Sequence, residues 1–192
     1  ILLALVALFF HYRFALAWTS AGTALAMTAL LAALQYTVLY AQIARPYAFG
    51  FFTVAWLADA LTRYLAFGTR RSLAAVGMSS VLCAYTHHFS LLLAAIMVLS
   101  ACGLVPTGQQ KRYLTMAIIA ILAYTPNLFI FVKQLALGGL GGWLAPPDCG
   151  WLLRYITWIL HFSPGLMICT VLVLSMAVLG TLRKGTLRSP VR

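Results

Sequence analysis

Residues 73–105 read LAAVGMSSVLCAYTHHFSLLLAAIMVLSACGLV, an apolar stretch with the polar group Tyr85-Thr-His-His88 near its middle. About twenty apolar residues, at 1.5 Å each, cross the hydrocarbon core of a bilayer. Because this stretch is too long for one untilted span, we interpret it as two short helices that turn at the polar group. Histidines at such a boundary are costly unless they contact water, a charge or a ligand.

Comparable apolar runs fill the rest of the chain. Of its 192 residues, 64% are hydrophobic and 8% charged, whereas a soluble domain carries roughly a quarter charged residues. We therefore predict an all-α fold, a polytopic transmembrane bundle of about six to eight membrane helices in a single domain, residues 1–192. Besides the pair in 73–105, the predicted segments are 1–10, 19–43, 47–67, 113–131, a shorter interfacial segment 151–162, and 164–182.

The beginning of the chain is already apolar. It starts at Ile1 without a methionine, and no basic region or cleavage site of a signal peptide is visible. This predicts a fragment that is truncated at its N-terminus and starts within a membrane helix.

The formal net charge of +11 would suggest nucleic acid as a partner of a soluble protein. Here the basic residues cluster in short loops between apolar runs, so we predict a lipid bilayer as the partner and no nucleic acid. Ten of the thirteen basic residues fall on one side of the predicted spans. They are Arg13, Arg63, Arg70, Arg71, Lys111, Arg112, Arg183, Lys184, Arg188 and Arg192.

The three remaining basic residues, Arg45, Lys133 and Arg154, fall on the other side. Since positive charge marks the cytoplasmic side of a membrane protein, we predict that the ten-residue side and the C-terminus are cytoplasmic. Arg45, His87 and a Gly/Pro-rich loop at about residues 134–150 are then external. Two polar motifs and one long loop share a face.

The first of these motifs is Tyr40-Ala-Gln-Ile-Ala-Arg-Pro-Tyr-Ala-Phe49. The guanidinium of Arg45 can bind phosphate oxygens through two parallel hydrogen bonds. A helix that begins at Pro46 would also favour an anion near its N-terminus. The structural alternative is an arginine that extends to the interface between ordinary belt tyrosines.

The second motif is Tyr85-Thr-His-His-Phe89. Its histidines can act as acid or base, metal ligand or hydrogen-bond donor. Adjacent residues on a helix point about 100° apart, so we do not expect both rings to hold one ligand. No further histidine stands at a matching depth, and no metal site is predicted. The alternative is a plain interfacial turn.

The chain has two acidic residues. Asp59 stands four residues before Arg63, the spacing of a helical ion pair. Asp148 lies in the predicted external loop, where we expect it to cap the segment that begins at Trp151. A catalytic base is the alternative for Asp148.

Three short elements, in this order, resemble a known family. Residues 40–49 resemble the Ser-Gln-Glu-Ala-Arg-x-Tyr-Ala signature of integral-membrane GT-C glycosyltransferases. These are relatives of the protein mannosyltransferases and of the bacterial aminoarabinose and galacturonic-acid transferases. Residues 85–89 are similar to the Tyr-Thr-His-Tyr element of that group, and Trp143-Leu-Ala-Pro-Pro147 to its Trp-x-Pro-Pro element. Ile43 occupies the position where the family has glutamate.

The resemblance implies an enzyme of the bacterial plasma membrane that moves a sugar from a polyprenyl-phosphate donor to a lipid, glycan or protein on the external face. Arg45 would bind the donor phosphate, and the other substrate-binding residues would be Tyr40, Gln42, Tyr47, Tyr85, His87 and His88. The family's catalytic acid precedes the region that matches Ile1. No catalytic residue or cofactor is therefore assigned, and we expect this chain alone to be inactive although its parent is an enzyme.

A different function fits the same residues. A transporter or flippase for an anionic lipid-linked substrate would use Arg45 as its phosphate anchor. Inverted repeats and helices broken at the membrane midplane would favour transport. The sequence shows no internal repeat.

Overall fold

The computed structural model describes residues 1–43, 46–136 and 147–184, and the chain forms nine α-helices and no strand within these ranges. The all-α prediction is confirmed. The helices are α1 (Leu2–Trp18), α2 (Ala21–Ala33), α3 (Gln35–Gln42), α4 (Tyr47–Phe67), α5 (Arg70–Thr86), α6 (His88–Cys102), α7 (Thr107–Ala136), α8 (Trp151–Ile159) and α9 (Pro164–Lys184).

Helix α4 has the predicted bounds, and local signals explain both of its ends. Pro46 precedes the first helical residue, where its missing N–H costs nothing. Gly68 ends the helix in the left-handed conformation, φ 59°, and its N–H donates to the carbonyl of Tyr64. Glycine adopts this conformation without a steric penalty. The Thr69 hydroxyl then accepts from the N–H of Ser72 and caps α5.

The predicted turn in residues 73–105 is confirmed. His87 alone separates α5 from α6, in an extended conformation with φ −163° and ψ 148°. Its Nδ1 accepts a hydrogen bond from the N–H of Phe89 at 3.2 Å, which satisfies one of the amide groups that a helix start leaves unpaired.

The predicted end of the first helix at residue 10 is wrong. Helix α1 continues to Trp18, because Arg13 finds a buried partner instead of solvent. Its Nη2 lies 2.9 Å from Oδ2 of Asp59, whose side chain is 6% exposed. The predicted pair of Asp59 with Arg63 is confirmed at 3.2 Å, so one carboxylate serves two arginines.

Two further predicted segments differ from the structure. Residues 19–43 form two helices, α2 and α3, that meet at Leu34 with a bend of 58°. Helix α7 is longer than the predicted 113–131 and reaches Ala136. The remainder of the predicted loop lies mostly outside the described residues. The short segment after it is α8, which meets α9 at an angle of 94°.

The core lies between α4, α5, α6 and α7. Leu57, Val76 and Cys83 are fully buried there. The rings of Tyr64 and Tyr113 stack with 5.6 Å between their centroids, which joins the end of α4 to the beginning of α7. These helices fix the relative positions of the two polar motifs.

Among the described helices, α7 alone is long and apolar enough to cross a membrane. The pairs α2–α3 and α8–α9 reach that length only when each bent pair is taken as one span, which gives up to three. Helix α7 presents large apolar side chains outward, among them Ile121, 69% exposed, and Leu122, 63% exposed. The count of six to eight spans stays a prediction.

Candidate functional site

The ends of three helices bring the two polar motifs together. Tyr40, near the end of α3, has its ring centroid 4.4 Å from that of Tyr47 at the start of α4. The Tyr47 ring lies 5.4 Å from the ring of His87, and Tyr36 lies 4.6 Å from Tyr40 on its other side. We call these four residues the tyrosine–histidine cluster. Residues that are forty positions apart in sequence thus share one site.

A close approach of α4 and α6 supports this cluster. A Cβ atom on Gly50 would lie 2.6 Å from Oγ of Ser90. Gly50 stands three residues after Tyr47, and Ser90 three residues after His87. The absence of a side chain at Gly50 therefore sets how near the Tyr47 and His87 rings can come.

The surroundings of His87 define its protonation state. Its Nδ1 accepts from a backbone N–H, so the proton of the neutral ring resides on Nε2. His87 lies between two helices, and burial, then the neighbouring His88, lower its pKa. The ring is therefore neutral at pH 7 and presents an Nε2–H donor. Such a donor suits a phosphate or sugar oxygen.

The other residues of the second motif contact α7 instead. The ring of His88 packs edge-on against Phe131 with 5.1 Å between centroids. The Tyr85 hydroxyl donates to the carbonyl of Ala123 at 2.8 Å, and its ring contacts Tyr124 at 5.6 Å. His87 thus packs toward α4 and His88 toward α7, although the two rings remain neighbours with 5.9 Å between their centroids. Tyr85 and His88 connect the site to α7.

Three predicted elements lie outside the described residues or at the margin of this cluster. Arg45 lies outside the described residues, as does most of Trp143-Leu-Ala-Pro-Pro147. Gln42 is exposed in the last turn of α3. The structure therefore brings together Tyr40, Tyr47 and His87 from the predicted set.

Asp148 has a structural role at the start of α8. Its Oδ1 accepts from the N–H of Gly150, the N-cap residue, at 2.9 Å. The same carboxylate pairs with Arg154 at 2.8 Å. The prediction that Asp148 is the N-cap of this helix is therefore wrong in position: Gly150 is the N-cap, and Asp148, two residues earlier, stabilises the same helix start. Among the described residues, no three His, Cys, Asp or Glu side chains are arranged to hold a metal ion.

Tyr36 is the member of the cluster that the motifs do not contain. It stands four residues before Tyr40, a spacing that places both rings on one helix face. This four-residue spacing is the signal by which the sequence could have identified Tyr36 as a member of the cluster. The partner of Tyr40 on the other side, Tyr47, follows across a helix break, which no periodicity reveals.

Comparisons with known proteins add nothing to this geometry. No family model matches the chain, and the searches of curated proteins and of solved structures found no match. The functional interpretation rests on the residues and their arrangement.

Proposed function

We propose that this chain is the membrane region of a GT-C-like glycosyltransferase. In this proposal, the parent enzyme moves a sugar from a polyprenyl-phosphate donor to a lipid, glycan or protein acceptor outside the cell. The observation that supports it is the tyrosine–histidine cluster, in which residues of both resembling motifs are neighbours. A common substrate site would require such residues, about forty positions apart in sequence, to lie together.

The chemistry of the cluster suits a sugar phosphate. Breaking the glycosyl bond leaves growing negative charge on the phosphate, which fixed donors and cations stabilise. We assign that role to Arg45, with the Nε2–H of His87 as a second donor. The rings of Tyr40 and Tyr47 would pack against the apolar face of the sugar. The acceptor needs a general base, and we assign no residue to that role.

The packing also supports the proposed grouping of residues at the two ends of the helices. Arg13 and Arg63 meet at one carboxylate, and the Tyr64 hydroxyl donates to the carbonyl of Gln109 near the start of α7. Residues assigned to the cytoplasmic side are therefore close together. The His88–Phe131 contact joins the start of α6 to the last part of α7. We place these two helix ends outside the cell.

Binding of undecaprenyl phosphate to the purified chain in neutral detergent tests the site. Arg45→Gln should weaken binding by about tenfold or more, because hydrogen bonds to charged groups contribute about 1.5–3 kcal/mol. Tyr47→Leu should weaken it through loss of the cluster. Lys133→Gln is the matched control, a cation of the same predicted side outside both motifs, and should change affinity less than twofold. Equal losses in Arg45→Gln and Lys133→Gln would contradict the proposed anchor.

Sugar transfer distinguishes the enzyme from a flippase. Glycosyl transfer from polyprenyl-phosphate sugar is measured in membranes of cells that make the native protein, with and without Arg45→Gln. Loss of transfer in the variant supports the transferase. Transfer that is unchanged while lipid binding falls would assign Arg45 to transport of the lipid instead.

A further inference from the structure

A groove on the outer surface of α5 and α7 forms a second potential site. Its volume is about 610 Å³, within the range of small-molecule sites. The walls are apolar and include Leu73, Val81 and Ile119, and Arg70 is the one charged residue among the described residues that line it. The groove is open to the surroundings, since Met78 on its wall is 58% exposed. It is an apolar channel with a cation at one end.

The dimensions of the groove match one leaflet of a bilayer. Its wall on α5 extends from Arg70 to Leu82, which at 1.5 Å per residue is about 18 Å. Half of a hydrocarbon core is about 15 Å thick. The groove is therefore long enough for one acyl chain that reaches from the interface to the midplane.

The charge balance of the chain favours an external anion at this end. The whole sequence has two acidic residues, and both are engaged in ion pairs, Asp59 with Arg13 and Arg63, Asp148 with Arg154. No acidic side chain of this sequence is therefore left for Arg70. The neighbouring Arg71 and the N-terminus of α5 add to the positive potential there. An anionic group from outside the chain is the natural counter-ion.

We infer that this groove binds one acyl chain of an anionic phospholipid, with the lipid phosphate at Arg70. The inference rests on the membrane placement proposed above, but not on glycosyl transfer. Arg70 begins α5 and His87 follows its last residue, so the two sites lie about 25 Å apart along the helix. The lipid would belong to the leaflet opposite the tyrosine–histidine cluster. Anionic lipids are a feature of the cytoplasmic leaflet.

Native mass spectrometry of the purified chain, released from neutral detergent, tests this inference. Phosphatidylglycerol and phosphatidylcholine with identical acyl chains are titrated separately, and retained lipid is counted. Arg70→Gln removes the charge, Arg70→Lys keeps it, and Arg71→Gln is the matched control outside the groove lining. Ala74→Trp fills the groove from an exposed position, with Ala74→Ser as its control. Circular dichroism verifies that each variant remains helical.

We expect the wild-type chain to retain phosphatidylglycerol in preference to phosphatidylcholine. Arg70→Gln should reduce phosphatidylglycerol retention about tenfold, because charge-assisted hydrogen bonds to phosphate are lost. Arg70→Lys and Arg71→Gln should reduce it less than twofold. Ala74→Trp should reduce the retention of both lipids.

Three results would overturn the inference: equal retention of the two lipids by the wild type, equal losses in Arg70→Gln and Arg71→Gln, or unchanged retention in Ala74→Trp. Undecaprenyl phosphate binding by the same variants separates this inference from the proposed function. It should be unaffected by Arg70→Gln and sensitive to Arg45→Gln. A negative result for phospholipid retention at Arg70 would therefore leave the result for undecaprenyl phosphate binding at Arg45 unchanged, and the reverse also holds.

Discussion

Removing the charge of Asp59 tests the packing of α1 against α4. Asp59 is 4% exposed and accepts from two arginines, Arg13 at 2.9 Å and Arg63 at 3.2 Å. Asp59→Asn keeps the shape of the side chain and leaves Arg13 with an uncompensated charge among apolar groups. The sequence spacing alone predicts Arg63 as the partner of Asp59. The structure adds Arg13, which is the more buried of the two arginines.

The expected magnitudes follow from the exposure of each partner. Breaking a buried ion pair costs about 3–5 kcal/mol, whereas an exposed helical pair contributes about 0.3–0.5 kcal/mol. The Arg13 side chain is 27% exposed and that of Arg63 is 50% exposed. Since asparagine still accepts one hydrogen bond, we expect a loss of about 2 kcal/mol for Asp59→Asn. Arg13→Met should cost about 1 kcal/mol and Arg63→Gln less than about 0.5 kcal/mol.

Unfolding by SDS in mixed micelles, followed by tryptophan fluorescence, measures these free energies. The double variant Arg13→Met with Asp59→Asn should be less destabilised than the sum of the single variants, by about 1 kcal/mol, because it removes the unpaired charge. A loss in Arg63→Gln that equals the loss in Asp59→Asn would refute the reasoning. Strict additivity in the double variant would do so as well.

The remaining predictions concern the helix junctions, and the same unfolding assay measures them. Gly50→Leu should destabilise the chain by about 1–3 kcal/mol, because the new side chain collides with Ser90; Gly22→Leu, with no atom within 4 Å of its Cβ position, is the control. Gly68→Ala should cost about 1 kcal/mol, since φ there is 59°; no measurable loss would contradict the left-handed cap. The lowered pKa of His87 predicts a stability contribution that is complete above the ordinary histidine pKa of about 6.5 and is lost as the pH falls from there through the lower pKa of the folded state. His87→Asn should remove this part of the pH dependence, and an unchanged profile would assign it to another group.

The sequence predicts those parts of the fold that local signals determine. Pro46 and Gly68 delimit α4 because one favours a helix start and the other a left-handed end. The polar group Tyr85–His88 predicts the break between α5 and α6, because it interrupts an apolar run that is too long for one membrane span. In contrast, the continuation of α1 through Arg13 depends on a carboxylate forty-six residues away. No local pattern predicts such a partner.

The candidate site is predictable to a similar degree. Tyr40, Tyr47 and His87 are conspicuous because each interrupts or borders apolar sequence. Their contact with one another depends on how α3, α4 and α6 pack, and on the small residue at Gly50 that permits the approach. The different packing partners of His87 and His88 depend on the break between α5 and α6, because His87 is extended and not helical. The groove at Arg70 has no sequence signature, because its lining comes from residues of ordinary apolar helices.

The single-residue connection between α5 and α6 has a mechanical consequence. One residue, His87, ends the first helix and caps the second, so two backbone torsions set the angle between two helices. Its imidazole is held on one nitrogen by the α6 backbone and touches Tyr47 on α4. A ligand that displaces this ring must release the α6 cap or turn the helix with it. Ligand binding at the tyrosine–histidine cluster and the tilt of α6 are therefore mechanically coupled.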